Sequence, residues 1–358
     1  MAFLGWGYIA TVGVLIKYFV KESEQNNKLY KITLFIIITS VTLMLISFPL
    51  SGYKVFSIVL LSVFGITSYV LSFKLLKDIK GAGTTVKLVK YGIYYYLLSS
   101  LATWFIAGVV VTQGKTDLYY NTVYFYLHFL YNGYFVFVLF GLLFKIFEKQ
   151  HISFSTKSQK RFFIYLNIAC IPAYTLSILW SKVPIIFNVI GFIASILQLI
   201  SLIYLGRIML QILPQLNWNY LSKLLLKFGL IAYVFKILIQ IFSAFPVIVE
   251  KSLALKHFFI IGYLHLFTLG FMSVLLLLIL NKMKIFSLRQ WISKIGIIIF
   301  LIGIVTTEFL LFFQGFNYLK GFKPLTNYNL LLLGFSSFLV IGLILIFIDQ
   351  LKKTIVIK

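Results

Sequence analysis

The sequence predicts an all-α polytopic membrane protein, a transmembrane helical bundle of about eleven spans. Hydrophobic residues make up 61% of the chain and charged residues 11%, with a mean hydropathy of +1.02, far beyond the apolar share of a soluble domain. Apolar stretches of about 20 residues recur from end to end, each long enough for a helix to cross a hydrocarbon core of roughly 30 Å. Runs such as Ile298 to Ile304 and Leu330 to Ile348 are apolar on every face, unlike the short alternating strands of a membrane barrel. Residues 1–358 then form a single integral membrane domain.

The spans are expected near residues 2 to 20, 32 to 50, 54 to 76, 91 to 112, 119 to 146, 161 to 180, 184 to 206, 221 to 245, 256 to 281, 292 to 314 and 328 to 350. The first starts at once: Met1-Ala-Phe-Leu-Gly-Trp6 has no basic leader and no small-residue cleavage site, so it does not read as a signal peptide. A further helix upstream of Met1 is expected, which gives twelve spans with both ends on one side. The later spans are delimited by charge. Alternate segments (21 to 31, 74 to 90, 145 to 161, 207 to 227, 282 to 294 and 352 to 358) hold 23 of the 32 Lys and Arg residues. Lys54, Lys115, Lys182, Lys251, Lys256, Lys320 and Lys323 occupy the opposite segments, and Lys17 and Lys236 lie within spans. The positive-inside rule makes the first set cytoplasmic and leaves the C-terminus inside, in a bacterial cytoplasmic membrane. The net charge of +24 therefore reflects topology and attraction to anionic lipid, not nucleic-acid binding. Trp180, Trp218 and Trp291 stand near span ends as interface anchors, whereas Trp104 is deeper and expected to pack. No internal repeat is evident, and Pro172, Pro184, Pro214 and Pro246 mark breaks.

Few residues in the spans can do chemistry. The single cysteine, Cys170, rules out intrachain disulfides and thiolate metal clusters. Walker-type glycine loops, Cys-x-x-Cys, His-Glu-x-x-His and Gly-x-Ser-x-Gly are all missing from the sequence. Seven of the eight acidic residues lie in loops or at span ends, which argues against a membrane hydrolase working with paired carboxylates. Glu308 is the exception. It and Lys236 lie at matching depth, and a lone charge at the bilayer centre costs at least about 2.5–3.5 kcal/mol. The two are expected to form a buried ion pair, with a proton path as the functional alternative. His265 lies inside the apolar run His257 to Ser273, where an imidazole is either hydrogen-bonded to a neighbouring helix or holds a cofactor. His128, in the fifth span, lies nine residues in from its outer end, as His265 does, so both sit roughly 13 Å deep and can line one cavity.

The segment Tyr263-Leu-His265-Leu-Phe-Thr-Leu-Gly270-Phe271-Met-Ser273 resembles the tenth helix of the haem-copper oxidase and nitric oxide reductase catalytic subunit, which carries His-x-His and then a pattern close to Leu-x-x-x-Gly-Phe-x-Ser. The resemblance implies a twelve-helix fold, makes His265 the low-spin haem ligand, and puts Tyr263 where the high-spin haem ligand belongs. His257 falls where some members carry a polar residue. His128, followed by Tyr131-Asn-Gly-Tyr134, matches the copper-binding histidine of the sixth helix. Phe3, Gly5 and Trp6 fit the second helix, whose haem-ligating histidine would precede Met1. The departures are equally informative. With His128, His151, His257 and His265 alone, no complete copper site or binuclear centre can be assembled, so oxygen or nitric oxide reductase activity is not expected. The resemblance implies a degenerate relative that holds one haem b for electron transfer or sensing, with a membrane redox or assembly partner. A transporter and a cofactor-free accessory subunit are the alternatives.

Overall fold

Hydrocarbon offers the backbone no hydrogen-bond partner, so each apolar run satisfies its own amides as a helix. The computed structural model describes residues 3–52, 54–181, 183–253, 255–288 and 290–356, with the side chains of Phe3, Lys256 and residues 352–356 left undescribed. Met1, Lys182, Arg289 and Lys358, which enter the reading of the start and of the charge bias, lie outside the described residues. Among the described residues there is no strand. Nine helices of the described residues are long and apolar enough to cross a membrane: α2 (Lys28–Ser51), α3 (Val55–Asp78), α4 (Thr84–Gln113), α5 (Asp117–Lys149), α7 (Ile186–Gln215), α8 (Tyr220–Phe242), α9 (His257–Lys282), α10 (Trp291–Lys320) and α11 (Tyr328–Leu351). The first expected span is a shorter apolar helix, α1 (Leu4–Phe19). The sixth, α6, is Thr156–Cys170 followed by Pro172–Ser181 at a 48° bend, where Pro172 cannot donate to the preceding turn. The chain is a multi-pass integral membrane protein.

Within the single membrane domain expected over 1–358, the contacts form two compact units, Met1–Ile164 and Tyr165–Lys358. Helix α5 is the core of the first: 94% of its most apolar window is buried. It lies so close to α4 that a Cβ at Gly133 would stand 2.5 Å from Tyr95 Cβ, and one at Gly92 would stand 2.7 Å from a Val138 methyl. Tyr8, Tyr96 and Tyr134 gather beside it with ring centroids 4.7 to 5.8 Å apart. Two of the polar ends are satisfied within the unit, Tyr134 by Thr11 at 2.7 Å and Tyr96 by donation to Ser68 at 2.7 Å, as buried hydroxyls usually are, whereas the Tyr8 hydroxyl is buried without a hydrogen-bond partner among the described residues. At one end of the unit Lys74 bridges Asp78 (2.9 Å) and Glu24 (3.3 Å). In the second unit α10 and α11 touch backbone to backbone, a Cβ at Gly342 falling 2.6 Å from the Gly296 carbonyl oxygen.

Among the described residues three π-helical segments interrupt the spans: Phe3–Gly7, Phe129–Phe135 and Leu266–Ser273. Each contains a glycine followed by an aromatic residue, Gly7-Tyr8, Gly133-Tyr134 and Gly270-Phe271. The last two begin one residue after His128 and His265.

That coincidence exposes an internal repeat, which corrects the sequence reading. At a constant offset of 137 positions, Lys90-Tyr-Gly-Ile-Tyr-Tyr-Tyr96 aligns with Lys227-Phe-Gly-Leu-Ile-Ala-Tyr233, and Tyr126-Leu-His128 through Gly133 with Tyr263-Leu-His265 through Gly270. The contacts repeat at the same offset. A Cβ at Gly229 would stand 2.7 Å from Leu275 as one at Gly92 would from Val138, and a Cβ at Gly270 would meet Ala232 as one at Gly133 would meet Tyr95. Tyr233 packs on Phe271 (4.9 Å) as Tyr96 does on Tyr134 (5.3 Å). The buried positions Ser57, Phe64, Ser68, Leu71, Ser72 and Leu75 of α3 likewise correspond to Ala194, Ser201, Leu205, Ile208, Met209 and Ile212 of α7. The α3–α5 segment and the α7–α9 segment are thus two copies of one helical module.

Two tryptophan expectations also change. Trp104 is 43% exposed and donates to Tyr69 Oη at 2.8 Å rather than packing in the interior. Trp218 is buried, with the Lys282 ammonium 4.3 Å from its ring. Trp291 is exposed at the start of α10, as an anchor would be.

Candidate functional site

Helix α9 brings His257 and His265 to one face, because eight residues are close to two full turns. Both line a cavity of about 850 Å³ in the second unit, a size typical of small-molecule and cofactor pockets. Its walls come from α9, α10, α11 and the α10–α11 connection. Phe258, Ile261, Leu311 and Leu339 supply apolar surface, and Thr307, Gln314, Asn327 and Asn329 supply polar groups.

His265 is the reactive feature of this wall. Its Nδ1 is buried without a hydrogen-bond partner and faces Glu308 Oε1 at 4.0 Å, while 44% of the side chain stays accessible. Glu308 is 8% exposed, and neither carboxylate oxygen has a hydrogen-bond partner. Unpaired buried polar atoms are rare, because each forfeits its hydration without compensation. A carboxylate behind one ring nitrogen, with the opposite edge of the imidazole on a cavity, is the arrangement that orients a metal-ligating histidine. On this wall His265 is the residue that would hold a haem. His257, on the same cavity, lies about 12 Å away along the helix axis, so the two imidazoles would not meet at one iron. Tyr263 is half-buried and is not among the residues that line the cavity.

The remaining sequence candidates are placed differently. His128 belongs to the first unit, is buried, and its Nδ1 lies 3.2 Å from Asn132 Nδ2 one turn on. In place of the expected ion pair with Glu308, the Lys236 ammonium donates to Gln198 Oε1 at 3.4 Å and stands 5.5 Å from the Tyr233 ring. Among the described residues no group of three or more His, Cys, Asp and Glu side chains could hold a metal ion. Sequence reasoning missed Gln198 and Gln240, although Asn188, Ser195, Gln198 and Ser201 recur along α7 at roughly helical spacing. It also missed Thr307 and Gln314, which flank Glu308 by less than two turns on α10. No protein-family model and no curated protein matches the sequence.

Proposed function

We propose that this membrane protein binds one haem b through His265 and serves electron transfer or sensing. The observation that carries this is the half-accessible His265 ring on the cavity wall, backed by an unpaired buried carboxylate. A haem held there supplies reversible one-electron transfer. Glu308, 4.0 Å from Nδ1, is the carboxylate that would turn to accept from the ring, Phe258 and the aliphatic walls would exclude water, and Asn327 and Asn329 would give the cavity a polar side. The same reading makes the chain a degenerate relative of the haem-copper oxidase subunit, without reductase activity. Its C-terminus is cytoplasmic in a bacterial cytoplasmic membrane, its surroundings are anionic lipid, and its partner is a membrane redox or assembly protein.

A second reading, a membrane carrier, is favoured by the 137-residue repeat, since carriers are commonly built from parallel repeats with their site at the repeat interface. The reduced-minus-oxidised absorption spectrum of the purified protein separates the two. Sharp b-type bands that vanish in His265→Ala and persist in His128→Ala are expected. A featureless wild-type spectrum would remove the haem and leave the carrier or a cofactor-free accessory subunit.

A further inference from the structure

Lys236 carries a second, independent feature of the second unit. Its side chain is 1% exposed within an apolar span, and among the described residues no carboxylate forms an ion pair with it. An ammonium has three protons to donate, and one acceptor, Gln198 at 3.4 Å, faces them. The ionisable neighbours are Tyr233 on the same helix and Cys170 on α6, and neither is a carboxylate. One turn along α8, the buried Gln240 has an Oε1 with no donor. Ser195 Oγ donates to the Gly191 carbonyl at 2.9 Å and reaches the Gln240 carbonyl at 3.4 Å. Where α7 begins and α8 ends, Asn188 donates to the Ala244 carbonyl at 2.9 Å.

These groups form a polar seam along the α7–α8 contact, from Asn188 past Lys236 to Ser201, about 20 Å at 1.5 Å per residue. Beyond it, toward the other end of the pair, apolar residues fill the contact, Leu205, Ile208 and Met209 on α7 and Leu225 and Leu226 on α8, and the next buried polar side chain is Ser222, which accepts from Asn281. The seam is open to one end and closed to the other.

The repeat shows that the fold does not require this polarity. At the same offset the first copy carries Ile58 for Ser195, Leu61 for Gln198, Thr103 for Gln240 and Ser99 for Lys236. Ser99 there simply donates to the Tyr126 carbonyl at 2.8 Å. A buried charge that the sister module does without, and that is costly in a membrane, is kept for a reason other than the fold.

We propose that the α7–α8 seam carries protons from the end where α7 begins to Lys236, whose amine takes up a proton to become ammonium and returns it along the same route. Water bridging Gln240 Oε1 and the Lys236 amine moves the proton, since each side chain lacks the partner that a water supplies. The end that admits protons is the outer one in the orientation proposed above. This inference does not depend on the haem.

Nuclear magnetic resonance of protein labelled at lysine Cε and Nζ, held in lipid nanodiscs, tests it. One signal, absent from Lys236→Met, should move between its amine and ammonium positions as the pH is varied from about 5 to about 9. Lys236→Arg gives the same assignment if the methionine variant does not accumulate. Proton exchange at that signal should slow by roughly tenfold or more in Gln240→Leu, which interrupts the chain, and stay unchanged in Ser222→Ala at the closed end. A signal fixed across the pH range would make Lys236 a structural donor and overturn the proposal. Slowing in Ser222→Ala but not in Gln240→Leu would overturn the route.

Discussion

Replacing Gly133 by alanine adds one carbon where the structure has no room. That Cβ falls 2.5 Å from Tyr95 Cβ and 2.7 Å from its Cγ, whereas carbon atoms in contact settle at about 3.5–4.0 Å. Both clashing atoms lie at the root of the tyrosine side chain, where no rotamer change moves Cβ, so α4 and α5 must separate. Overpacking of this kind costs about 1–3 kcal/mol, and the better helix propensity of alanine returns less than about 1 kcal/mol. The net loss is about 2 kcal/mol, or a fall in Tm of roughly 4–8 °C by the scaling for chains of 150–250 residues. The repeat and an open position supply internal controls. Gly270→Ala meets Ala232 Cβ at 3.1 Å and should lose less, while Gly13→Ala meets nothing within 4 Å and should melt at or above the wild-type temperature. Thermal unfolding in one detergent, followed by circular dichroism, reads all three. The close-approach reasoning fails if Gly133→Ala is as stable as Gly13→Ala, or if Gly270→Ala falls further than Gly133→Ala.

Tyr134→Phe removes the 2.7 Å bond to Thr11 and should cost about 0.5–1.5 kcal/mol; in a Thr11→Val background the same change should cost less, a difference that a double-mutant melting series measures. Ser293→Ala takes a donor from the buried Asp349 carboxylate, and because a charged acceptor loses more than a neutral one, its Tm should drop below that of Tyr134→Phe. Lys74→Met breaks the contacts to Asp78 and Glu24; its deficit against wild type should shrink as salt is added, since partly exposed pairs are screened, and a deficit indifferent to salt would count against an electrostatic origin.

The spans were legible because lipid imposes one rule, apolar length, that composition states directly. Azimuth was not. Lys236 and Glu308 are expected at similar depth, but depth says nothing about which way a side chain points around its helix, and in the structure one turns to Gln198 and the other to His265. The π-helical segments leave no residue signature, since any sequence can take an extra residue into a helical turn, and only their glycines hint at the close approach they allow. The cavity was hidden for another reason: part of its wall, Pro324 to Asn329, belongs to the α10–α11 connection, whose path depends on how the two helices pack.

The repeat is faint in the sequence because two apolar helices share many residues by composition alone. What survives in both copies is the set of positions where geometry admits one solution: the glycines at Gly92 and Gly229, the aromatic residues Tyr134 and Phe271 whose carbonyl oxygens lie against them, and the histidine before each π segment. Comparing the copies then separates scaffold from function. A feature present in both, such as the tyrosine at 96 and 233, belongs to the packing of the module. Features present in one alone are Lys236, Gln198 and Gln240. His265 falls between these classes, since its counterpart His128 exists but is buried and paired with Asn132, while His265 has Leu269 at the corresponding place and therefore no such partner. The loss of that asparagine is what leaves the imidazole free to face Glu308 and the cavity. Introducing asparagine by Leu269→Asn should give His265 a neighbour on its own helix, draw the ring from Glu308, and weaken any b-type spectrum without removing the residue proposed to generate it; an unaltered spectrum would mean that Glu308 does not position the ring.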